Sequence, residues 1–481
     1  MKRKIIALFA VFSIVLSLYG CSDIRNTFSL FGGNVEKTGK ISHEFTEKDD
    51  IWHFDAEKDS VFFSSDENVA AVDENGNVSP VSSGTAIITA TTPDGSKMKS
   101  ARVSVSLPES EVKNLRGVWV STVWNIDFPS DSGLDEKTLK NEIDGIIKNV
   151  KDWGLNAIFL QVRPMSDAIY SSDIFPSSSF VVGKQGEKLP FDILEYFVSA
   201  AHSSGISVHA WINPYRVSFP SLYGTDTEKL SKTNPARRHS EYTVNFNGAL
   251  YYNPGLPEVR KLVLSGVEEI LDKYDVDGIH FDDYFYPSGS SDEGAFDDGK
   301  AFEKYGNGKT LGDWRRDNVT SLVKETAALV KKKKPSCVFG VSPGGIWATK
   351  QNNEEGVSGL GNTSQTYYDV YADTKKWVEE KYVDYICPQI YWQLESKIAP
   401  FEPIAKWWSD LCSENGVPLY VGIAAYRGEE NGAYKNPDEI KNELSCLSSL
   451  SGYSGEVYFS YSSLKNDLAS VISTLKEVYG E

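Results

Sequence analysis

A chain of 481 residues has room for two or three domains, one of them a large barrel. With 40% hydrophobic and 24% charged residues it is a soluble, globular composition, and a net charge of −18 argues against nucleic acid, whose phosphates need a basic patch. The lysine run at 331–334 closes a helical segment, where it complements the helix dipole. Aromatic residues reach 12%, which suits either a large core or the binding of flat apolar faces, sugars included.

The N-terminus reads Lys2-Arg3-Lys4, an apolar run over 5–19, then Gly20-Cys21-Ser22. This is the pattern of a secretory signal, and the run is too short to favour a spanning helix. Leu18-Tyr19-Gly20-Cys21 resembles a bacterial lipobox. That resemblance implies cleavage after a signal peptide at 1–20, lipidation of Cys21, and an exported protein anchored by lipid at the cell membrane or outer surface. Losing the three basic residues takes the charge from −18 to −21. The other cysteines, Cys337, Cys387, Cys412 and Cys446, have no CxxC spacing and read as small core residues.

After a polar tether at 21–34, residues 35–107 carry short alternating strands divided by turns such as Asn75-Gly76 and Asp94-Gly95, predicting a small all-β sandwich. The stretch from Ser64 to Val78, followed by Gly84-Thr85-Ala86-Ile87-Ile88-Thr89-Ala90, resembles the bacterial Ig-like domain of group 2. With no acid–base pair in it, a spacer or adhesion role is expected. Leu107-Pro108-Glu109-Ser110 reads as a linker.

From about residue 114 to 481 strands alternate with helices. Strands are expected at 117–122, 157–162, 207–213, 278–284, 338–343, 385–391, 419–425 and 456–461. Apolar spacing of three and four places helices at 135–151, 257–274, 314–334, 370–381, 404–415, 438–450 and 464–479. This is α/β, a (β/α)8 TIM barrel; an open doubly wound sheet is the alternative, but no glycine-rich phosphate loop follows the first strand. The long connections at 214–250, 285–312 and 344–369 all follow strand C-termini, the end that carries active sites in such barrels.

The strand tips are polar or aromatic. Gln161 and Arg163 end the second strand; Trp211, Asn213 and Tyr215 the third; His280, Asp282, Asp283 and Tyr284 the fourth; Gln389, Tyr391 and Trp392 the sixth. Two-residue periodicity puts Gln161 with Arg163 on one face, and His280 with Asp282 and Tyr284. Aromatic faces and amide ends around carboxylates are what a sugar site requires, with two acids serving as acid and base or nucleophile. Asp282 is the leading catalytic residue, and Asp283 is a catalytic or supporting carboxylate. A partner acid is sought among Asp127, Asp167, Asp369, Asp373, Glu429 and Glu430; alternatively the substrate's own N-acetyl group is the nucleophile, oriented by Tyr391 and Asp282. A metal pair of His209 and His280 is the weaker reading beside a hydrogen-bonding role inside the barrel. No metal or other cofactor is expected.

Residues 277–282 are loosely similar to the chitinase strand motif, which has Asp where this chain has His280 and ends in Glu where it has Tyr284. A closer resemblance rests on Leu115-Arg116-Gly117-Val118-Trp119, Gln161-Val162-Arg163-Pro164, Ala210-Trp211-Ile212-Asn213-Pro214-Tyr215-Arg216, Gly278 to Pro287, and Pro388-Gln389-Ile390-Tyr391-Trp392. In this order they resemble the glycosyl-hydrolase-like 10 family. The resemblance implies a TIM-barrel glycosidase of bacterial envelopes acting on a peptidoglycan-type glycan. The expected function is an anchored glycoside hydrolase. The alternatives are a non-catalytic glycan-binding or adhesion lipoprotein and, less favoured, a metal-dependent deacetylase.

Overall fold

The computed structural model describes residues 34–35, 41–45, 51–105 and 114–479, apart from 68, 82–83, 95, 292–294, 430–432 and 437. The expected signal peptide, Cys21 and most of the expected tether lie outside the described residues. The chain divides into two compact units, Met1–Lys113 and Asn114–Glu481.

The smaller unit holds two sheets. Strands Val61–Ser64, Gly84–Thr91 and Lys97–Val105 form an antiparallel set joined by Ile41–Phe45, and Trp52–His53, Asn77–Pro80 and Ala70–Val72 form the second. Phe45, Phe54, Val78, Ile88 and Val103 fill the space between them. At the Asn75-Gly76 turn, Gly76 has φ +81° and lies against the Phe62 ring, so a side chain would be strained and crowded at once.

In the larger unit eight parallel strands close a barrel: β1 Leu115–Val120, β2 Ala157–Arg163, β3 Ser207–Ile212, β4 Gly278–Phe281, β5 Val338–Val341, β6 Tyr385–Ile386, β7 Leu419–Ile423 and β8 Tyr453–Tyr458, with β8 paired to β1. Around them pack α1 Glu136–Asp152, α2 Ile193–His202, α3 Pro257–Lys273, α4 Leu311–Lys333, α5 Thr374–Glu379, α6 Phe401–Asn415, α7 Asp438–Ser448 and α8 Val471–Tyr479. α1 starts where the Asp135 carboxylate accepts the Thr138 N–H at 2.8 Å, and it buries Leu139, Ile143, Ile146, Ile147 and Val150. α2, capped by Asp192, had no clear signal because a Gly/Ser/Pro-rich loop precedes its ten residues. The helix expected at 464–479 is broken: Asp467 and Ser470 take φ +49° and +57° between Tyr461–Lys465 and α8. The one expected at 370–381 begins only at Thr374, because Tyr371 is left-handed.

The bottom of the barrel repeats one device. Asn156, Asp277 and Asp384 each stand just before an even strand and accept the N–H of a residue at the start of the preceding odd strand: Arg116 at 2.8 Å, Val208 at 2.7 Å and Phe339 at 2.7 Å. Inside, Trp119, Phe159, Trp211, Tyr385, Cys387 and Val457 form a packed layer. Large rings fit because small residues face them. A Cβ at Gly278 would overlap the His209 ring, and one at Gly340 would overlap the Tyr385 ring. Gly340→Ala is therefore expected to cost about 1–3 kcal/mol or more through overpacking. Denaturant unfolding checks this; an unchanged midpoint would mean Tyr385 can swing aside.

Candidate active site

β4 stops at Phe281, three residues earlier than its apolar pattern suggests, and Asp282 causes the stop. Its Oδ1 accepts the N–H of Asp283 at 2.8 Å, turning the chain. Adjacent side chains then no longer alternate between faces, so both carboxyls can share the mouth. Asp282 is buried and three donors converge on it: Asn213 Nδ2 on Oδ2 at 2.8 Å, Gln389 Nε2 on Oδ1 at 3.3 Å, and that backbone N–H.

Asn213 is oriented from further back. Its Oδ1 accepts Gln161 Nε2 at 2.6 Å. Gln161 Oε1 in turn accepts the backbone N–H groups of Thr122 at 3.0 Å and Val123 at 2.9 Å, and the Ser121 hydroxyl at 3.2 Å. A backbone N–H can only donate, so it fixes which way the Gln161 amide points, and therefore the Asn213 amide as well. The relay crosses the tips of β1 to β4.

Asp283 is half-buried. Burial, and after it the neighbouring charge of Asp282, pushes its carboxyl well above the usual carboxylate range; Arg216 works weakly the other way. Of the pair, Asp283 keeps the proton. Tyr284 is 45% exposed, with the Arg216 guanidinium 4.2 Å from its ring centre. Tyr391 is half-buried, and burial, followed by the charges around it, Asp282 and Asp283 included, keeps its phenol protonated. Trp392 is half-buried beside Gly345. A solvent-open groove of about 230 Å³ runs along Tyr284 between Pro220, Phe246, Tyr251 and Pro287.

Residues 114–438, more than half the chain, match the family described as Glycosyl hydrolase-like 10, and 45–103 match the Bacterial Ig-like domain (group 2). The chain belongs to the glycosyl-hydrolase-like 10 family. It is 36% identical over 374 residues to glycosyl hydrolase YngK of Bacillus subtilis, covering 77% of this chain and 72% of that protein. To glycosyl hydrolase DigH of Escherichia coli K12 it is 33% identical over 390 residues, covering 77% and 86%. Among solved structures it aligns with the PgaB (BpsB) glycoside hydrolase domain from Bordetella bronchiseptica at 13% identity and TM-score 0.48, covering 75% of this chain and 98% of that one.

In this glycosyl-hydrolase-like barrel the residues named from sequence fall into three groups. Asp282, Asp283, Tyr284, Asn213, Gln389, Tyr391 and Trp392 lie at the mouth. Gln161, Trp211 and His280 lie beneath it. His280 is fully buried, bonded through Nδ1 to Tyr385 Oη at 3.0 Å and through Nε2 to Ser342 Oγ at 2.8 Å; His209 Nδ1 meets the same phenol at 3.0 Å. Burial lowers both imidazoles, His209 to about 4, so they are neutral members of an interior network and do not face the mouth. The expectation that His280 shares the open face with Asp282 and Tyr284 is corrected by the end of the strand at Phe281.

Arg163 and Tyr215 are not at the mouth. A bulge between Gln161 and Arg163 turns Arg163 outward, where its guanidinium lies 3.7 Å from the Phe175 ring centre and against Gly266 of α3. The two therefore do not share a face. Tyr215 is buried in the layer between strands and helices, near Arg260 and Glu325. The partner acids among the described residues are occupied as well. Asp127 accepts from Ser121 N, Ser460 Oγ and Ser462 N at 2.7–2.8 Å, tying β1 to β8. Asp167 is fully buried against Gln185, and burial raises its carboxyl to about 6. Asp369 accepts Gln365 N, and Asp373 accepts Trp347 Nε1. The side chains of Glu429 and Glu430 lie outside the described residues.

Sequence reasoning did not single out Arg216, Tyr385 or the Thr122–Val123 backbone. Arg216 stands in a quoted motif, but its place beside Tyr284 depends on the long loop after β3. The relay makes a prediction. Gln161→Ala leaves Asn213 Oδ1 and the two buried N–H groups of Thr122 and Val123 without their partner, each at about 1–3 kcal/mol. It is expected to lower stability in denaturant unfolding and to lower kcat while changing KM little; unchanged kcat would detach the relay from the chemistry.

Proposed function

We propose that this glycoside hydrolase cleaves the glycan strands of peptidoglycan at the cell surface, held there by lipid on Cys21. Asp283 is the general acid, and Asp282 orients the substrate's own acetamido group as nucleophile. The observation that carries the reading is the pairing of Asp283 with an Asp282 gripped by three donors, while Asp127, Asp167, Asp369 and Asp373 are engaged elsewhere; burial and that neighbour raise the Asp283 carboxyl, which suits a proton donor. Among the described residues none of the candidate partner acids joins the pair, and an N-acetylated sugar brings its own nucleophile, as in the substrate-assisted class of glycosidases.

In the first step the acetamido oxygen bonds to the anomeric carbon as the glycosidic C–O bond breaks. Asp283 gives its proton to the departing oxygen. Asp282 accepts the acetamido N–H, whose positive charge grows as the ring closes, and Tyr391 helps to orient the same acetamido group. In the second step water attacks the anomeric carbon, Asp283 takes its proton, and the acetamido group is restored with net retention.

The test incubates the purified protein with stem-peptide-free glycan strands and with the same strands de-N-acetylated. Shorter oligosaccharides should form only from the acetylated strands. Equal cleavage of both would remove the acetamido from the mechanism, and no cleavage of either would remove the substrate.

A further inference from the structure

We infer that Trp124 is a sugar-stacking platform at a binding subsite away from the carboxylates, so that the enzyme grips several consecutive sugars. This rests on the glycan reading of the site. The indole is 48% exposed at the tip of β1, where the active-site rim is built. Trp124 and Asn125 both hold φ +54°, a left-handed conformation that disfavours side chains.

The loop is held in that conformation by specific bonds. Asn125 Nδ2 donates to Pro129 O at 2.9 Å and Phe180 O at 2.8 Å. The preceding N–H groups of Thr122 and Val123 are those that Gln161 accepts. The Trp124 ring leans on Phe180, tilted by 62° at 5.4 Å between centroids, and on Phe219, tilted by 50° at 5.1 Å. Neither ring stacks flat on the indole. Exposing a large apolar ring on a strained backbone costs stability twice, so the fold itself does not call for it.

Its position relative to the acids is also built. Phe219 lies 5.0 Å from the Arg216 guanidinium, which lies 4.2 Å from the Tyr284 ring next to Asp283. Trp124, Phe219, Arg216 and Tyr284 form an unbroken row of flat surfaces from the β1 tip to the catalytic pair. The electron-rich face of such a ring attracts the polarised C–H bonds on the flat side of a pyranose. Because Gln161 holds both the Trp124 loop and Asn213, the platform and Asp282 keep a fixed spacing.

Calorimetric titration with the dimer and hexamer of N-acetylglucosamine tests this, using the full chain carrying Asp283→Asn so that cleavage is slow on the timescale of the titration. Adding Trp124→Ala should weaken the hexamer by about tenfold or more and leave the dimer unchanged. Trp124→Phe should restore most of the loss, and Ile126→Ala, at a nearby exposed apolar residue, should change nothing. Trp124→Ala should not lower the thermal unfolding midpoint. Equal hexamer binding with and without the indole overturns the inference and leaves the proposed function standing. A parent that binds neither oligosaccharide overturns both.

Discussion

Asp283→Asn is expected to lower kcat on glycan strands by about 10²–10⁴-fold, the usual contribution of a general acid, while substrate binding persists. The wild-type pH profile should show the same proton. Burial and the Asp282 charge raise the Asp283 carboxyl, and only the protonated form can donate to the leaving oxygen. Activity is therefore present below the raised value and falls as pH climbs through it. Stability follows the same sign. A carboxyl whose folded value is raised favours folding while it is protonated, and the protein weakens as pH rises through that range. Asparagine carries no such charge, so the variant should lose activity and at the same time unfold at a higher temperature in mildly alkaline buffer. Loss of activity with a lower melting temperature would indicate damage to the fold instead. Unchanged kcat would end the assignment.

Asp282→Asn is expected to cost about 10²–10³-fold in kcat, the scale on which removing one preorganised electrostatic partner acts. Three donors converge on this carboxylate, and an amide offers them a single acceptor oxygen, so one N–H is left facing another. The variant also removes the charge that helps hold the proton on Asp283, so the alkaline limb of the residual activity should move to lower pH. A pH–rate profile separates this from simple misfolding, which lowers the curve without shifting it. A full-strength curve with an unmoved limb would reduce Asp282 to scaffolding.

The barrel was legible because each strand is a short apolar run and each main helix a three-and-four repeat, and these patterns report burial directly. The site was legible in part. The strand-end acids and amides could be seen in the sequence, and Asn213, Gln389 and Asp282 do meet. What failed was the assumption of unbroken alternation. The bulge at β2 sends Arg163 away from Gln161, and the turn made by Asp282's own side chain ends β4 before the acids. Both are local backbone events one or two residues long, and a two-residue period cannot register them. Tyr215 and Arg216 are sequence neighbours with opposite fates: Tyr215 is sealed against α3 and α4, while Arg216 reaches the Tyr284 ring. That division follows from the loop after β3, whose hairpin Thr243–Phe246 and Ala249–Tyr252 folds back onto the strand exit, with Tyr252 N–H donating to Tyr215 O at 2.8 Å and Val217 N–H to Leu250 O at 3.0 Å.

The amide relay has a direction as well as a geometry. From Thr122 and Val123 through Gln161 and Asn213 every hydrogen bond runs the same way, with each donor pointing toward Asp282. Aligned amides add their dipoles, as peptide units do along a helix, and here the sum delivers positive potential to one carboxylate and not to the residue next to it. The two aspartates are chemically identical and adjacent, yet side-chain amides on other strands grip one, while burial and the charge of that neighbour raise the carboxyl of the other. Turning both amides over would present oxygen to Asp282 and erase the asymmetry on which a division of labour between neighbouring acids depends.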